Sequence, residues 1–117
     1  MIRLPETILL RAEAQLLKGN ATAAAADINL VRNRAKATPV TAAEVTLDYI
    51  LDERARELIF EEDRRVTLSR MGKLVERVRK YNPLNKGNIQ DFHALFPIPF
   101  SEIEANKDGK LEQNPRY

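Results

Sequence analysis

Between Leu47 and Met71 the apolar side chains recur at steps of three and four residues, a spacing that places them on one face of an α-helix. These positions are Leu47, Ile50, Leu51, Ala55, Leu58 and Ile59. The opposite face is densely charged, and opposite charges such as Asp52 and Arg56 fall one helical turn apart. Two interpretations remain open: a solvated face covered by salt bridges, or a buried network of glutamate and arginine that joins this helix to a partner segment.

Two helices are predicted before this stretch, from Leu4 to Lys18 and from Ala21 to about Ala37. Gly19-Asn20 between them suits a helix end followed by an N-cap. Small residues allow the two axes to approach closely; they are Ala12, Ala14, Ala23, Ala24 and Ala26. The pattern predicts an αα-hairpin of the tetratricopeptide type. One such pair needs a neighbour, either the later helix or further repeats.

A linker around Pro39 follows the hairpin, and Thr41 with Glu44 has the spacing of a capping box. We therefore expect the central helix to begin at Thr41 and to continue to about Glu62. A weaker apolar pattern predicts a further helix, interrupted near a glycine, that ends around Tyr81.

The last third of the chain changes character, because prolines and scattered polar residues replace the helical pattern. Its apolar anchors are Phe92, Leu95, Phe96, Ile98 and Phe100. The run Phe96-Pro97-Ile98-Pro99 must be extended, since proline fixes φ and disfavours helix in the residue before it. We expect this strap, residues 82–100, to pack its apolar side chains onto the helices. A capping box at Ser101 then opens a short helix.

These elements predict an all-α fold. A tetratricopeptide-like hairpin occupies residues 1–38, long helices occupy 41–81, and an extended Pro-rich C-terminal strap with one short helix occupies 82–117. The length of 117 residues suits a single domain or part of one.

Composition and charge exclude several classes of protein. The formal net charge is only +2 with 31% charged residues, so whole-chain electrostatics indicate neither nucleic acid nor an acidic substrate. There is no cysteine, hence no disulfide, thiolate metal site or cysteine nucleophile. No apolar run reaches the roughly 20 residues that span a bilayer, and charges interrupt the apolar N-terminus, unlike in a signal peptide. The chain is therefore either cytoplasmic or a fragment whose export signal lies upstream of Met1.

Candidate chemical sites are few. The segment from Arg64 to Lys80 holds seven basic residues and one acid, Glu76. Because no interleaved aromatics or Gly-rich phosphate loop accompany them, we expect a solvated face and no nucleic acid. His93 has no second His or Cys at metal-ligand spacing, so we expect neither a metal nor a cofactor.

Glu57 and Glu61 share a helix face, but the arginines around them favour two ionised carboxylates, which suits a salt bridge better than an acid–base couple. We expect no catalytic site and no enzyme activity. With Arg64 these glutamates are predicted to form a structural network, in which at least one carboxylate pairs with an arginine of this chain.

Several motifs follow one another in a fixed order. They are Leu9-Leu10-Arg11-Ala12-Glu13-Ala14, Asn29-x-Val31-Arg32-x-Arg34-Ala35, Ile50-x-x-Glu53-Arg54-x-Arg56-Glu57-Leu58-x-Phe60-Glu61, Pro97-Ile98-Pro99, Glu102-Ile103-x-x-Asn106 and Leu111-x-Gln113-Asn114-Pro115. In order and spacing the chain resembles the C-terminal portion of the SusD/RagB family, outer-membrane nutrient-binding lipoproteins of Bacteroidetes. Three positions depart from the family pattern: Glu62 and Arg116 stand where Gly is usual, and Thr67 stands where Asp is usual. Loss of Gly bears on turn geometry, since φ > 0 is cheap only for Gly.

The resemblance implies tetratricopeptide-like helical pairs and a protein that binds glycans or related nutrients at the outer membrane, beside a TonB-dependent transporter. It also implies a longer, lipidated parent chain whose missing part makes most of the ligand contacts. No ligand-binding residue can be carried over, and the lack of Trp with 6% aromatic residues predicts little sugar-binding surface. The rival hypothesis is a cytoplasmic helical adaptor that binds a peptide or protein in its hairpin groove.

Overall fold

The computed structural model describes residues 3–117, and in them every regular element is a helix. The helices are α1 (Leu4–Leu17), α2 (Ala21–Arg34), α3 (Leu47–Glu57), α4 (Arg64–Arg70), α5 (Leu74–Tyr81) and α6 (Phe100–Ala105). Short 3₁₀ turns lie at Ala42–Glu44 and Asp91–Ala94. The chain forms two compact units, which meet in sequence between Glu62 and Asp63. The predicted all-α fold class is confirmed.

The first unit is built on the α1–α2 hairpin, against which α3 packs. Leu9, Ala12, Ala24 and Ile28 are fully buried between the hairpin helices, and Ile50 of α3 joins the same core. Because alanine side chains are small, the two helix backbones approach closely, as in a tetratricopeptide pair. Most of the buried apolar side chains of the described residues lie in this unit.

Helices α1 and α2 end in the same left-handed turn. Gly19 follows α1 with φ 80° and Lys36 follows α2 with φ 54°. In both turns the N–H groups return to carbonyls of the last helical turn: Gly19 to Leu16, Asn20 to Gln15, Lys36 to Asn33 and Ala37 to Arg32. This is a Schellman motif, which satisfies orphan carbonyls at the helix end. The turn at Lys36 ends α2 earlier than the predicted Ala37.

The predicted start of the central helix at Thr41 is wrong. Glu44 does accept hydrogen bonds from the Thr41 N–H (2.8 Å) and hydroxyl (2.6 Å), but these close only a 3₁₀ turn. Val45 is extended, and the hydroxyl of Thr46 accepts the Tyr49 N–H at 3.0 Å to cap α3. Thr46, which directly precedes the periodic apolar stretch, is therefore the N-cap of α3 in place of Thr41.

The predicted continuation of this helix to Glu62 is also wrong. Helix α3 ends at Glu57, Phe60 takes a positive φ of 61°, and Asp63 caps α4 by accepting the Val66 N–H. A second good N-cap thus starts a new helix within the periodic stretch. One consequence is that Ile59, assigned to the apolar face, is 64% exposed.

In the second unit the strap is held by polar side chains. Leu95, Phe96 and Phe100 are exposed, so the predicted burial of these anchors is wrong. Instead Gln113 accepts the Ile98 N–H at 2.7 Å and donates to the Ile98 carbonyl at 2.8 Å. Two further bonds reach the strap carbonyls, from Asn114 to Phe96 and from Tyr117 to Leu95. Because the prolines remove backbone donors, tail side chains supply the hydrogen bonds that a neighbouring strand would give.

The short helix also differs from its prediction in detail. Helix α6 begins at Phe100 with Pro99 at its N-cap and no side-chain cap, so Ser101 lies inside the helix. Pro99 itself is extended, with φ −54° and ψ 135°, so the helix begins directly after the last proline of the strap.

Candidate functional site

The most buried charge of the first unit is Arg54. Only 2% of its side chain is exposed, and its Nε donates to Glu62 Oε1 at 2.6 Å. Glu6 of α1 lies farther away, with Oε1 3.9 Å from Arg54 Nη2. The Nη1 atom is buried without a hydrogen-bond partner among the described residues. A buried guanidinium of this kind needs its carboxylate, because an uncompensated buried charge is strongly destabilising.

A second cluster joins α2 to α3. Glu53 Oε2 accepts from Arg32 Nη1 at 2.7 Å and from Arg56 Nη2 at 2.6 Å. Both guanidiniums also face the ring of Tyr49, at 5.9 and 5.8 Å from its centroid. Arg32 donates further to the Thr38 carbonyl at 2.7 Å. The cluster ties the linker between α2 and α3 to both helices.

An amide clamp holds the same linker. Asn29 Nδ2 donates to the Val40 carbonyl at 2.9 Å, and Asn29 Oδ1 accepts the Val40 N–H at 2.8 Å. The side chain therefore pairs with one residue in both directions, as a neighbouring backbone strand would. Gln113 forms the equivalent amide clamp on Ile98 in the second unit.

The structure brings together two of the three residues of the predicted network. Glu57 accepts from Arg34 Nη2 at 2.5 Å and lies 3.3 Å from Arg3 Nη1. Arg3 Nε also donates to Glu61 in a short hydrogen bond, which raises the pKa of Arg3 above its ordinary value. Arg64 is the first residue of α4, in the second unit. A structural role for the three stays a prediction.

Sequence reasoning did not single out the buried charges themselves. Glu53, Arg54 and Glu62 have low side-chain exposure of 7%, 2% and 5%, whereas the predicted Glu61 is 44% exposed. A signal was present, because Glu53-Arg54 stands inside the longest motif and Glu62 replaces a Gly of the family pattern. Helical periodicity alone pointed to the apolar Ala55, which the structure leaves exposed.

The second unit carries an open pocket of about 410 Å³, which we call the arginine pocket. Its lining comprises three arginines, an apolar wall and two polar groups: Arg64, Arg65, Arg77, Leu68, Leu74, Val78, Tyr81 and Asn82. No acidic residue is among these lining residues. The arginines come from the basic stretch that the sequence predicts to be a solvated face.

An adjoining pocket of about 290 Å³, the amide pocket, shares three lining residues with the first. Its lining consists of Arg65, Val78, Asn82, Asn85, Asn88, Ile89 and His93. Asn82 Oδ1 accepts the N–H groups of Leu84 and Asn85, both at 3.1 Å. His93 accepts the Gln90 N–H on Nδ1 at 2.8 Å. The pockets thus form one groove, basic at one end and amide-rich at the other.

Metal and membrane chemistry find no support in the part of the chain from residue 3 onward. No group of three or more His, Asp and Glu there is arranged to hold a metal ion. No helix in the same part is long and apolar enough to cross a bilayer.

Comparison with known proteins gives a family and one relative. The model described as the SusD family matches residues 1–117. The chain is 34% identical over 123 residues to the starch-binding protein SusD of Bacteroides thetaiotaomicron. That alignment covers 100% of this chain and 21% of the relative, so the chain spans about a fifth of the relative's length. No solved structure matches the chain significantly.

Proposed function

The chain belongs to the SusD family, and on that premise we propose that it is the C-terminal portion of a cell-surface protein that binds glycans for nutrient uptake. In this proposal the parent is a lipoprotein of the outer membrane. It delivers its glycan to a TonB-dependent transporter and performs no catalysis.

The observation that carries the proposal is the 34% identity to a starch-binding protein along the whole chain. The chain corresponds to 21% of that relative, so the sequence identity directly supports only one part of such a protein. The ligand, the transporter and the membrane anchor are proposed for the parent.

The charge clusters support a non-catalytic scaffold. Glu53 and Glu62 are each held by a guanidinium at hydrogen-bonding distance. Because these carboxylate oxygens are engaged in salt bridges, they are poorly placed to act as a general acid or base toward a substrate. These side chains stabilise the helices and leave recognition to exposed surfaces.

The parent gene provides the first test. We expect the reading frame to continue upstream to a lipoprotein signal with its cysteine, next to a gene for a TonB-dependent transporter. A short frame that begins at Met1 would favour the rival, a cytoplasmic adaptor that binds a peptide in the hairpin groove.

A second test uses the product of the full reading frame. Its migration in native gels that contain starch or other polysaccharides should be retarded by at least one of them. A tagged copy should also co-purify with the transporter from outer-membrane extracts. A product that no polysaccharide retards, and that purifies alone, contradicts the proposal.

A further inference from the structure

We propose that the groove of the second unit binds an acidic sugar, with the arginine pocket holding its oxyanion and the amide pocket holding its hydroxyls. The inference rests on the proposed function for the sugar ring. The oxyanion is inferred from the residues of the pocket itself.

Charge is the first argument. Arg64, Arg65 and Arg77 line one pocket of about 410 Å³, and the lining contains no carboxylate. Guanidinium groups bind carboxylate, sulfate and phosphate through paired, charge-assisted hydrogen bonds, and they are the preferred side chains for such groups.

Preorganisation is the second argument. Arg65 Nη2 donates to the His93 carbonyl at 3.0 Å, and its guanidinium carbon lies 4.1 Å from the centroid of the Phe96 ring. The guanidinium of Arg77 lies 4.6 Å from the centroid of Tyr81, and Arg77 is largely buried. Arginines fixed against aromatic rings lose less side-chain entropy when an anion binds.

Burial of the Arg65 guanidinium has a free-energy cost, because one of its donors makes no hydrogen bond within the described residues. Its Nε is buried and has no hydrogen-bond partner among the described residues. Buried donors are almost always paired, and an exception calls for an explanation. A basic site selected for ligand binding, where the positive charge is needed despite that cost, supplies one.

The remaining lining suits a sugar ring. Leu68, Leu74 and Val78 form an apolar wall, and pockets that bind small molecules combine such walls with a few polar groups. Together the two volumes, about 410 and 290 Å³, lie within the range for such sites.

Asparagine side chains make up the opposite end of the groove. Asn82, Asn85 and Asn88 present amides, each with donors and an acceptor, which match the alternating donor and acceptor character of hydroxyl groups. The bonds from Leu84 and Asn85 to Asn82 Oδ1 fix that side chain and leave its Nδ2 to donate. Hydroxyl recognition and oxyanion recognition thus lie side by side.

The test uses the 117-residue chain and a matched pair of probes, D-glucuronate and D-glucose, which differ in the carboxylate at C6. Titrations followed by NMR of the arginine Nε–H and asparagine Nδ2–H₂ groups give both affinity and location. We expect glucuronate to bind at least about tenfold more tightly than glucose and to shift the signals of Arg65, Arg77 and Asn82. Equal affinity for the two sugars, or shifts outside the groove alone, would overturn the proposal.

Substitutions of single arginines test whether the oxyanion of the sugar binds in the arginine pocket. Arg77→Gln should weaken glucuronate binding by about tenfold, and Arg64→Gln, at a half-buried position, provides the same reading if Arg77→Gln fails to fold. Arg70→Gln is the matched control, since Arg70 is exposed on α4 and lines neither pocket. The proposal is overturned if all three variants weaken binding alike.

Inorganic phosphate is the third probe, because it carries the charge without the ring. We expect it to bind more weakly than glucuronate and to leave the asparagine signals unshifted. Phosphate binding as tight as glucuronate binding would overturn the assignment to a sugar. The proposed function fails separately, when the product of the full reading frame binds no polysaccharide.

Discussion

The buried Arg54 shows how one residue sets the cost of changing its neighbours. Its guanidinium is 2% exposed and its closest carboxylate is that of Glu62, at 2.6 Å. Arg34, which pairs with Glu57 at a similar distance of 2.5 Å, is 61% exposed. Water can therefore replace the carboxylate at Arg34 but not at Arg54. The two ion pairs, although similar in length, should therefore differ widely in their contributions to the free energy of unfolding.

This difference predicts the outcome of two alanine substitutions. Glu62→Ala should lower the free energy of unfolding by about 3 kcal/mol, because it leaves the buried Arg54 guanidinium with only the more distant carboxylate of Glu6. Glu57→Ala, its matched control, should cost about 1 kcal/mol, because its partners remain solvated. Urea unfolding followed by circular dichroism measures both. Equal losses would show that burial of Arg54 does not decide the energetics.

Glu44 provides a prediction about pH. The hydroxyl of Thr41, followed by its backbone N–H, lowers the pKa of the Glu44 carboxyl below its ordinary value. The turn is therefore stabilised above the unfolded pKa, and that contribution is lost as the pH falls through the lowered pKa. In Thr41→Val we expect the Glu44 pKa, measured by NMR titration, to rise toward its ordinary value. Thr46→Val, which removes the cap of α3 but not this hydroxyl, should leave that pKa unchanged.

At the scale of elements, the C-terminal turns of α1 and α2 form a natural comparison. Both are Schellman motifs with a positive φ at the first residue beyond the cap, yet one uses Gly19 and the other Lys36. A left-handed conformation costs a residue with a Cβ roughly 1–2 kcal/mol, and glycine avoids that cost. The hairpin therefore stores strain at its second turn only.

Exchange of the two residue types should reveal that strain. Lys36→Gly is expected to stabilise the chain by about 0.5–1 kcal/mol after the greater entropy of glycine in the unfolded chain is subtracted. Gly19→Lys should destabilise it by a similar amount or more. Thermal unfolding of both variants gives the comparison. A lower melting temperature for Lys36→Gly would contradict the assignment of strain to this turn.

The accuracy of the sequence-based prediction also varied by element. Both ends of the first hairpin helix and the start of the second were found to within a residue, because Gly19-Asn20 marks their junction, whereas the second helix ends at Arg34 and not at the predicted Ala37. The helix from Thr41 to Glu62 was not, because Thr46 and not Thr41 caps α3, and because Phe60 takes a positive φ soon after α3 ends; apolar periodicity reports neither feature. The groove could not be foreseen either, since its lining depends on how α4, α5 and the strap fold back within the second unit.

At the scale of the whole molecule, burial is unevenly distributed. In the first unit a continuous core runs from Leu9 to Leu58. In the second, the buried apolar side chains are Leu68 and Leu74, while Leu84 is 85% exposed. Because hydrophobic burial is the main favourable term in folding, local stability should follow the same division.

Hydrogen exchange tests this division. The amides of Ile28 and Ile50 should exchange slowest, through global unfolding of the first unit, and the amide of Ile98 should exchange faster but more slowly than in an unfolded peptide. Gln113→Ala removes the acceptor that the Ile98 N–H shares with the Asn114 N–H, and it should accelerate exchange of these two amides while leaving Ile28 and Ile50 unchanged. If Ile98 already exchanges at the unfolded rate, the strap is not held by its clamp.

The two amide clamps restrict which sequences can replace this one. Asn29 and Gln113 each offer a donor and an acceptor in one plane to a single backbone residue, and only Asn and Gln side chains present that pair. A change to Asp or Glu preserves the shape but turns the donor into a second acceptor that faces a carbonyl. Saturation mutagenesis should therefore find these half-exposed positions less tolerant of substitution than many buried ones, where apolar residues of similar volume exchange at small cost.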